Sequence, residues 1–493
     1  MKKPNIVLFL CDDLGWGDIS CLNDESKIQT PNIDSFAENG FNFENAHAPS
    51  AVCTPSRYST LTGRYCWRTK NLKQNVNSGY SPGLIKEGRK TIATELKNIG
   101  YQTACMGKWH IGMDWELLSG DQPEQELEKT DQIKTGERID FSKPVKNGVL
   151  SAGFEHFYGI SASLDMPPYA WMKNNQLIDM PTEIYPALKD EKRTAKGHGA
   201  PEWHQERVLP TIIEKSCSYI KQAAKSDKPY FLYLPINGPH TPVVPNKKWQ
   251  GKSGCGCYGD FVMEIDDEFG KVLKAIKETG EEDNTIVIFT SDNGPETITM
   301  PYAEKYNHKS AWNFRGFKRD NWEGGHRVPM IVRWPAKKNN KKVNNYIELT
   351  DIAATLSEIT GVEVAEDFCE DSFSFLPIMD NKESPQTREL TVHHSVQGKW
   401  ALRRGKWKIL LHAGSGGNDY PNLKDDSPVQ IYDMEKDPFE QNNLYPEQKE
   451  LIEEMRMLCL QLIAKGRSTP GPEQPVEMDG DWQQVTDLLN LKM

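Results

Sequence analysis

Three kinds of residue in this chain can act together: a cysteine at a helix start, oxygen donors at strand ends, and scattered basic side chains. Cys53 stands in Ser50-Ala51-Val52-Cys53-Thr54-Pro55-Ser56-Arg57-Tyr58. Pro55 suits the first turn of a helix because it has no N–H to leave unpaired, and Gly63 is a good C-terminal stop. Cys53 is therefore expected to cap a short helix, with backbone N–H groups and the positive dipole end beside its sulfur. Arg57 lies one turn further on, on the same face. Such an assembly binds an anion next to a thiol.

Asp12-Asp13 and Asp292-Asn293 each follow an apolar run. All four are hard oxygen donors, with no histidine or thiol ligand close in sequence, so they favour Ca²⁺ or Mg²⁺ over zinc. Calcium is preferred because it tolerates irregular oxygen sets, with magnesium the alternative. Taken alone, such pairs are more often turn or cap residues. The basic set is Arg57, Lys108, His110, His240 and Lys318. Lys108 and His110 alternate in a stretch read as extended, so they face the same way and Trp109 the other. His240 lies between Pro239 and Thr241-Pro242, a rigid turn. Lys318 precedes a loop containing Gly324-Gly325.

The run Cys-Thr-Pro-Ser-Arg with Leu61-Thr62-Gly63-Arg64 resembles the signature of type I sulfatases, including bacterial carbohydrate sulfatases. Tyr432-Asp433-Met434, Asp437-Pro438 and Asn443-Leu444 match that family's C-terminal pattern, and Gly398 to Leu411 resembles its sugar-directed members. The resemblance implies an alkaline phosphatase-like fold and hydrolysis of sulfate esters. It also implies oxidation of Cys53 to formylglycine by a maturation enzyme, and one divalent cation on Asp12, Asp13, Asp292 and Asn293. By the same resemblance the hydrated aldehyde is the nucleophile and Asp292 a proton acceptor. Arg57, Lys108 and Lys318 balance charge on the sulfate oxygens, His240 with Lys318 protonates the leaving oxygen, and His110 assists the second hydroxyl. The substrate it suggests is a sulfated sugar of galactose or N-acetylgalactosamine type. The alternatives are a small aryl sulfate or, more distantly, a phosphate ester on a related scaffold, where two zinc ions and several histidines would be needed.

These residues need a scaffold that brings distant strand ends together. Asn5–Leu10, Tyr101–Met106, Pro229–Ile236, Thr285–Thr290 and Val328–Trp334 read as strands, the first and the third and fourth too apolar to be half exposed. Helices are expected after Thr30-Pro31, at Thr91–Ile99, Glu202–Lys225, Tyr258–Thr279 and Leu349–Ile359. Alternating strands and helices predict an α/β fold: a large, mostly parallel sheet with helices on both faces, and ligands at the carboxyl ends of its strands. A polar, proline-containing stretch near Pro377–Thr387 separates residues 1–378 from 388–493. The latter read as an α+β unit, with strands Leu390–His394, Trp400–Arg403 and Lys406–Leu411 and a helix Glu447–Ala464. Residues 114–147 are polar and acidic, and are expected to be a surface insertion.

The chain has 493 residues, 37% hydrophobic and 26% charged, which suits an ordinary globular protein of two domains. Its net charge of -11 argues against nucleic acid, so an anionic substrate must meet a local basic pocket. No apolar run approaches the roughly 20 residues a membrane helix needs. The ten cysteines are scattered, as in reduced proteins. The expectation is a cytoplasmic protein if Met1 is the native start, or a periplasmic or secreted one if a leader has been removed. Gly254-Cys255-Gly256-Cys257-Tyr258-Gly259 spells a dinucleotide fingerprint but follows no strand. His47 either borders the site or is packed in the core, and the loop Gly414-Ser415-Gly416-Gly417 is a candidate for the substrate rim.

Overall fold

The structure is a computed structural model that describes residues 2–69, 76–119, 131–337, 341–382, 388–420, 427–445, 447–477 and 483–491. Its centre is a ten-stranded sheet. In spatial order the strands are Lys341–Val343, Phe41–Phe43, Met330–Arg333, Thr285–Ser291, Asn5–Asp12, Tyr230–Pro239, Gln102–Lys108, His156–Ile160, Met172–Lys173 and Gln176–Leu177. The five from Thr285–Ser291 to His156–Ile160 are mutually parallel. Met330–Arg333, read from sequence as one more strand of the series, pairs antiparallel to both of its neighbours. Nothing in its apolar pattern carries direction, which depends on the connection before it.

Alternation along the first strand sends side chains to two cores. Ile6, Leu8 and Leu10 face the layer containing Tyr58, Leu61, Ile92, Leu96, Ile352 and Leu356. Val7, Phe9 and Cys11 face the layer built by the helices Val208–Ala223 and Gly256–Glu278. With both faces covered, every residue of Asn5–Asp12 is buried. The parallel strands all end on one edge of the sheet, so Asp12, Lys108, His240 and Asp292 meet there although they are far apart in sequence.

A second, antiparallel sheet has the order Thr391–His394, Trp400–Arg404, Trp407–Leu410, Gln430–Asp433. The helix Lys449–Lys465 packs on it through Ile452, Met455, Cys459 and Ile463. Tyr65 and Trp67, from just beyond the Cys53 helix, complete that core. The last strand, Gln430–Asp433, is not among the strands expected from the sequence. Residues 383–387 of the expected boundary lie outside the described residues.

The described parts of the segment 114–147 are more deeply built in than a surface insertion. Trp115, Leu117, Ile139 and Val145 join the large core, and Gln132–Glu137 is a short helix; residues 120–130 lie outside the described residues. Its apolar residues are too widely spaced to show a helical or strand period.

Phe9 packs edge-on to Phe269 at 5.0 Å and stacks on Phe289 at 5.5 Å. Phe9→Ala is expected to cost about 3–5 kcal/mol, the range for emptying a buried aromatic site. Denaturant unfolding measures it, and a loss below about 1 kcal/mol would show that the core refills.

Candidate active site

The helix that carries the cysteine runs Cys53–Thr62. Val52, extended at φ -148°, holds the cap position, so Cys53 is the first helical residue rather than the cap itself. Gly63 ends the helix at φ 65°, a left-handed conformation that glycine adopts without a Cβ clash. Ten residues in a row are buried, including Arg57. Cys53 Sγ lies 3.5 Å from Asp12 Oδ1. Burial pushes its thiol well up, against the pull of Lys108 and Lys318, so the side chain is a neutral thiol.

Asp12, Asp13, Asp292 and Asn293 are fully buried. Each carboxylate meets a cation. Lys108 Nζ is 2.6 Å from Asp12 Oδ2, and Lys318 Nζ is 2.8 Å from Asp13 Oδ2. Arg57 Nη2 stands between Asp292 Oδ2 at 2.7 Å and Asp12 Oδ1 at 3.3 Å. Its Nε also donates to Asp292 at 2.8 Å, and its Nη1 to the Lys108 carbonyl at 3.1 Å. Burial raises the Asp12 pKa, but Lys108, His240, Arg57 and Lys318 outweigh it and hold the carboxyl well below the usual range. Burial wins at Asp292, whose pKa is raised despite Arg57. At Lys318 burial opposes the charge, yet Asp13 and Glu296 raise its pKa.

Asn293 donates to Asp13 Oδ1 at 2.7 Å, and the Asp13 amide donates to Asp292 Oδ1 at 3.2 Å. Asn293 Oδ1 is buried with no hydrogen-bond partner among the described residues. Donor atoms of Asp12, Asp13, Cys53 and His240 lie within 4.8 Å of one another. Crowded carboxylates with an unpartnered amide oxygen fit a hard divalent cation. Asp292 reaches this group through Arg57 and the Asp13 amide.

His240 Nδ1 contacts the Thr241 carbonyl at 2.5 Å and Ser163 Oγ at 3.2 Å, while Nε2 faces Asp13 Oδ2 at 3.6 Å. The carbonyl assigns the proton to Nδ1 and leaves Nε2 directed at the cluster. His110 Nε2 donates to the Asn77 carbonyl at 2.8 Å, and its Nδ1 is buried without a partner. Burial and the adjacent Lys108 depress its pKa well below the usual range, so the ring is neutral. His110 is not in an extended stretch: its φ is 59°, held by N–H donation to the Ser161 carbonyl and by Thr54 Oγ1 on its own carbonyl at 2.8 Å. Trp109 does face away, into the large core. Asp13 at φ 64° and Arg319 at φ 86° share this left-handed backbone. Strained positions of this kind collect where function fixes geometry.

The structure thus gathers Cys53, Arg57, Lys108, His110, His240 and Lys318 around Asp12, Asp13, Asp292 and Asn293. The sequence reading missed Glu296, which is buried and pairs with Arg319 at 2.5 and 2.6 Å, and Ser163 behind His240. It also missed Asp320, which accepts from the Asn418 and Phe317 amides at 2.9 Å each. Asn418 in turn donates to the Lys318 carbonyl at 2.8 Å. The loop after Gly414 therefore packs on the backbone of the Lys318 segment. His47 is a packed residue: it stacks on Tyr346 and contacts Glu323 at 2.8 Å, away from the cluster. Cys255 caps the Gly256–Glu278 helix, and the fingerprint-like run follows a turn rather than a strand.

The family model described as "Sulfatase" matches residues 4–362, and that described as "N-sulphoglucosamine sulphohydrolase, C-terminal" matches residues 314–465. The chain belongs to the sulfatase family. It is accordingly a sulfuric ester hydrolase. An N-acetylgalactosamine-6-O-sulfatase of Bacteroides thetaiotaomicron is 32% identical, over 93% of this chain and 92% of that protein. Human arylsulfatase A is 28% identical over 96% of this chain and 90% of its own length. A structure solved for the metabolism of multiple glycosaminoglycans by Bacteroides thetaiotaomicron superposes with a TM-score of 0.82 at 29% identity. That match covers 94% of this sulfatase and 100% of the other chain. Formylglycine and a divalent metal are general in the family.

Where residue 53 is still cysteine, its buried neutral thiol should resist iodoacetamide at pH 8 in the native sulfatase. It should react once the chain is unfolded in guanidinium, whereas exposed Cys257 should react in the native state. Peptide mass spectrometry reads both sites, and rapid native labelling of Cys53 would show that the site is open.

Proposed function

We propose that this sulfatase removes sulfate from a sulfated sugar of galactose or N-acetylgalactosamine type, using formylglycine at position 53 and calcium. The observation that carries the reading is the start of the Cys53 helix, set 3.5 Å from Asp12 inside a ring of Arg57, Lys108 and Lys318. The names of the relatives, N-acetylgalactosamine-6-O-sulfatase and human N-acetylgalactosamine-6-sulfatase, support the sugar class. Human arylsulfatases among the relatives keep small aryl sulfates as the second reading.

Asp12, Asp13, Asp292 and Asn293 would hold the cation, which neutralises charge on the bound sulfate, while the matured residue 53 supplies the nucleophilic oxygen. Arg57 fixes the orientation of Asp292 and Asp12 together, because one guanidinium touches both. Lys108 and Lys318 place two ammonium groups on opposite carboxylates, where they can shift toward the oxygens of a sulfate monoester without leaving the site. His240, held by Thr241 through Nδ1, presents Nε2 at 3.6 Å from Asp13 Oδ2 and, once protonated on Nε2 as well, can pass that proton to the departing sugar oxygen. His110 stays neutral and keeps a buried Nδ1, unpartnered among the described residues, which can accept a hydrogen bond from the second hydroxyl of the matured residue 53. Burial of Asp12, Asp13, Asp292, Arg57 and Lys108 keeps bulk water from these groups. A formylglycine-generating enzyme in the host is the partner this reading requires.

Free sulfate release from N-acetylgalactosamine-6-sulfate should exceed that from p-nitrophenyl sulfate in kcat/KM, with phosphate release from the corresponding ester lowest. The reverse order would replace the sugar reading by the aryl one, or by a phosphatase. His240→Ala should lower kcat about 10²- to 10⁴-fold on the sugar sulfate. On the aryl sulfate, whose phenolate leaves without a proton, the loss should be far smaller; equal losses on both would remove His240 from proton transfer. Calcium at about 100 times its Kd should stabilise the fold by about 2.7 kcal/mol. Thermal unfolding with calcium or with chelator tests this, and an unchanged midpoint would argue against the four oxygen ligands.

A further inference from the structure

Positive charge also gathers beside the reacting groups, around Glu296. This carboxylate is buried at the start of the turn Thr297–Thr299. Arg319 grips both its oxygens, at 2.5 and 2.6 Å. Lys318 Nζ lies 4.0 Å away and Arg193 Nη2 3.8 Å away. Burial raises the Glu296 pKa, but Arg319 and Lys318 hold it well below the usual range, so its single negative charge faces three cations.

The three cations are unequally satisfied. Lys318 has Asp13 as its close partner. Arg319 has both oxygens of Glu296, and its backbone is clamped on either side: its N–H donates to the Ala51 carbonyl at 2.8 Å, and its carbonyl accepts from Val396 at 3.1 Å. Among the described residues, Arg193 has the distant share of Glu296 and a contact to Thr241 Oγ1 at 3.4 Å as its side-chain polar partners. Nearly half of its side chain, 49%, is open to solvent. Asp190 and Glu191 on its own loop make no ion pair with it among the described residues, and Glu191 instead accepts from the Tyr302 hydroxyl at 2.8 Å. The loop itself is ordered, with the Arg193 amide on the Asp190 carbonyl at 3.0 Å and the Val243 amide on the Glu191 carbonyl at 2.7 Å.

Thr241 follows His240 directly, so Arg193 borders the side of the site from which the alcohol departs. A guanidinium presents a planar fork of donors that matches the oxygens of a carboxylate or a sulfate. In a protein of net charge -11, an incompletely paired arginine at that position is a local attraction for negative charge. We infer that Arg193, backed by the Glu296–Arg319 pair, forms a subsite for a second oxyanion on the substrate. That group is the carboxylate of a uronate, or a further sulfate ester, on the departing sugar or its neighbour. Glu296 keeps Arg319 turned away from the sulfate that reacts and holds the subsite at about one positive charge. This inference rests on the sugar-sulfate reading of the site.

Arg193→Ala is tested on three substrates: a monosulfated neutral sugar, the same sugar joined to a uronate, and the same sugar bearing a second sulfate. Loss of one charge-assisted contact should lower kcat/KM about 10- to 100-fold on an anionic substrate, mainly through KM, and less than about 2-fold on the neutral one. Arg193→Lys should restore part of the loss. The dependence of KM on ionic strength should flatten in the alanine variant. A loss confined to the uronate sugar assigns a carboxylate, and one confined to the disulfated sugar assigns a sulfate. Equal loss on the neutral sugar, or no loss on any, overturns the subsite. If the wild type releases sulfate from none of the three, the sugar reading fails. Calorimetric binding of the uronate-bearing and disulfated sugars then decides the subsite by itself: affinity unchanged in Arg193→Ala for both overturns it.

Discussion

The structure depends on taking three carboxylates out of water at one edge of a sheet. Asp12, Asp13 and Asp292 are completely buried, and an unpaired buried carboxylate costs several kcal/mol. Lys108, Lys318 and Arg57 answer them at 2.6 to 2.8 Å. Each cation comes from a different part of the chain, so the site forms only when the parallel strands, the Cys53 helix and the Lys318 segment have all docked. Removing one cation leaves a buried charge uncompensated, whereas substrate and metal can share the same charges without exposing them. The same arrangement that makes the site costly to assemble therefore makes it ready for a doubly charged ion and a sulfate.

The second sheet has a direct part in this. Lys408, on its strand Trp407–Leu410, is buried between Glu323 at 2.9 Å and Glu440 at 2.8 Å. Glu323 follows the Lys318 segment, and its amide donates to Glu440. Burial pushes the Glu440 carboxyl up to about 7, while at Glu323 Lys408 and His47 overcome burial and lower it. Together with Asp320, Asn418 and the Ala51–His394 backbone contact, these bonds tie both the Lys318 loop and the approach to Cys53 to the C-terminal sheet. Tyr65 and Trp67 insert from the other direction. The two sheets are thus joined through residues that lead to the reacting groups.

Much of this was legible because strand ends carry a strong signal. Runs such as Ile6-Val7-Leu8-Phe9-Leu10 are apolar on both faces, and the residues just after such a run face the ligand edge. That logic brings Asp12, Lys108, His240 and Asp292 together from the sequence alone. The Cys53 motif added specificity that burial patterns lack. Local readings were less secure: the left-handed backbone at His110 is imposed by Ser161 and Thr54, both distant in sequence. Glu296 and Asp320 carry no sequence pattern that marks them, since their partners, Arg319 and the loop at Asn418, are brought to them by the fold. The burial of Trp115, Leu117, Ile139 and Val145 was hidden because they are widely spaced in a polar segment. Charge alone also could not show that Arg57 would hold Asp292 as well as the anion site.

The central claim is that turnover runs through an aldehyde at position 53, within this set of paired charges. The most direct measurement takes preparations with graded conversion of Cys53, quantified by peptide mass spectrometry, and plots sulfate release per enzyme against the converted fraction. A straight line through the origin is predicted, with calcium saturating. Activity that does not change with the converted fraction, or that persists when conversion is zero, would contradict it.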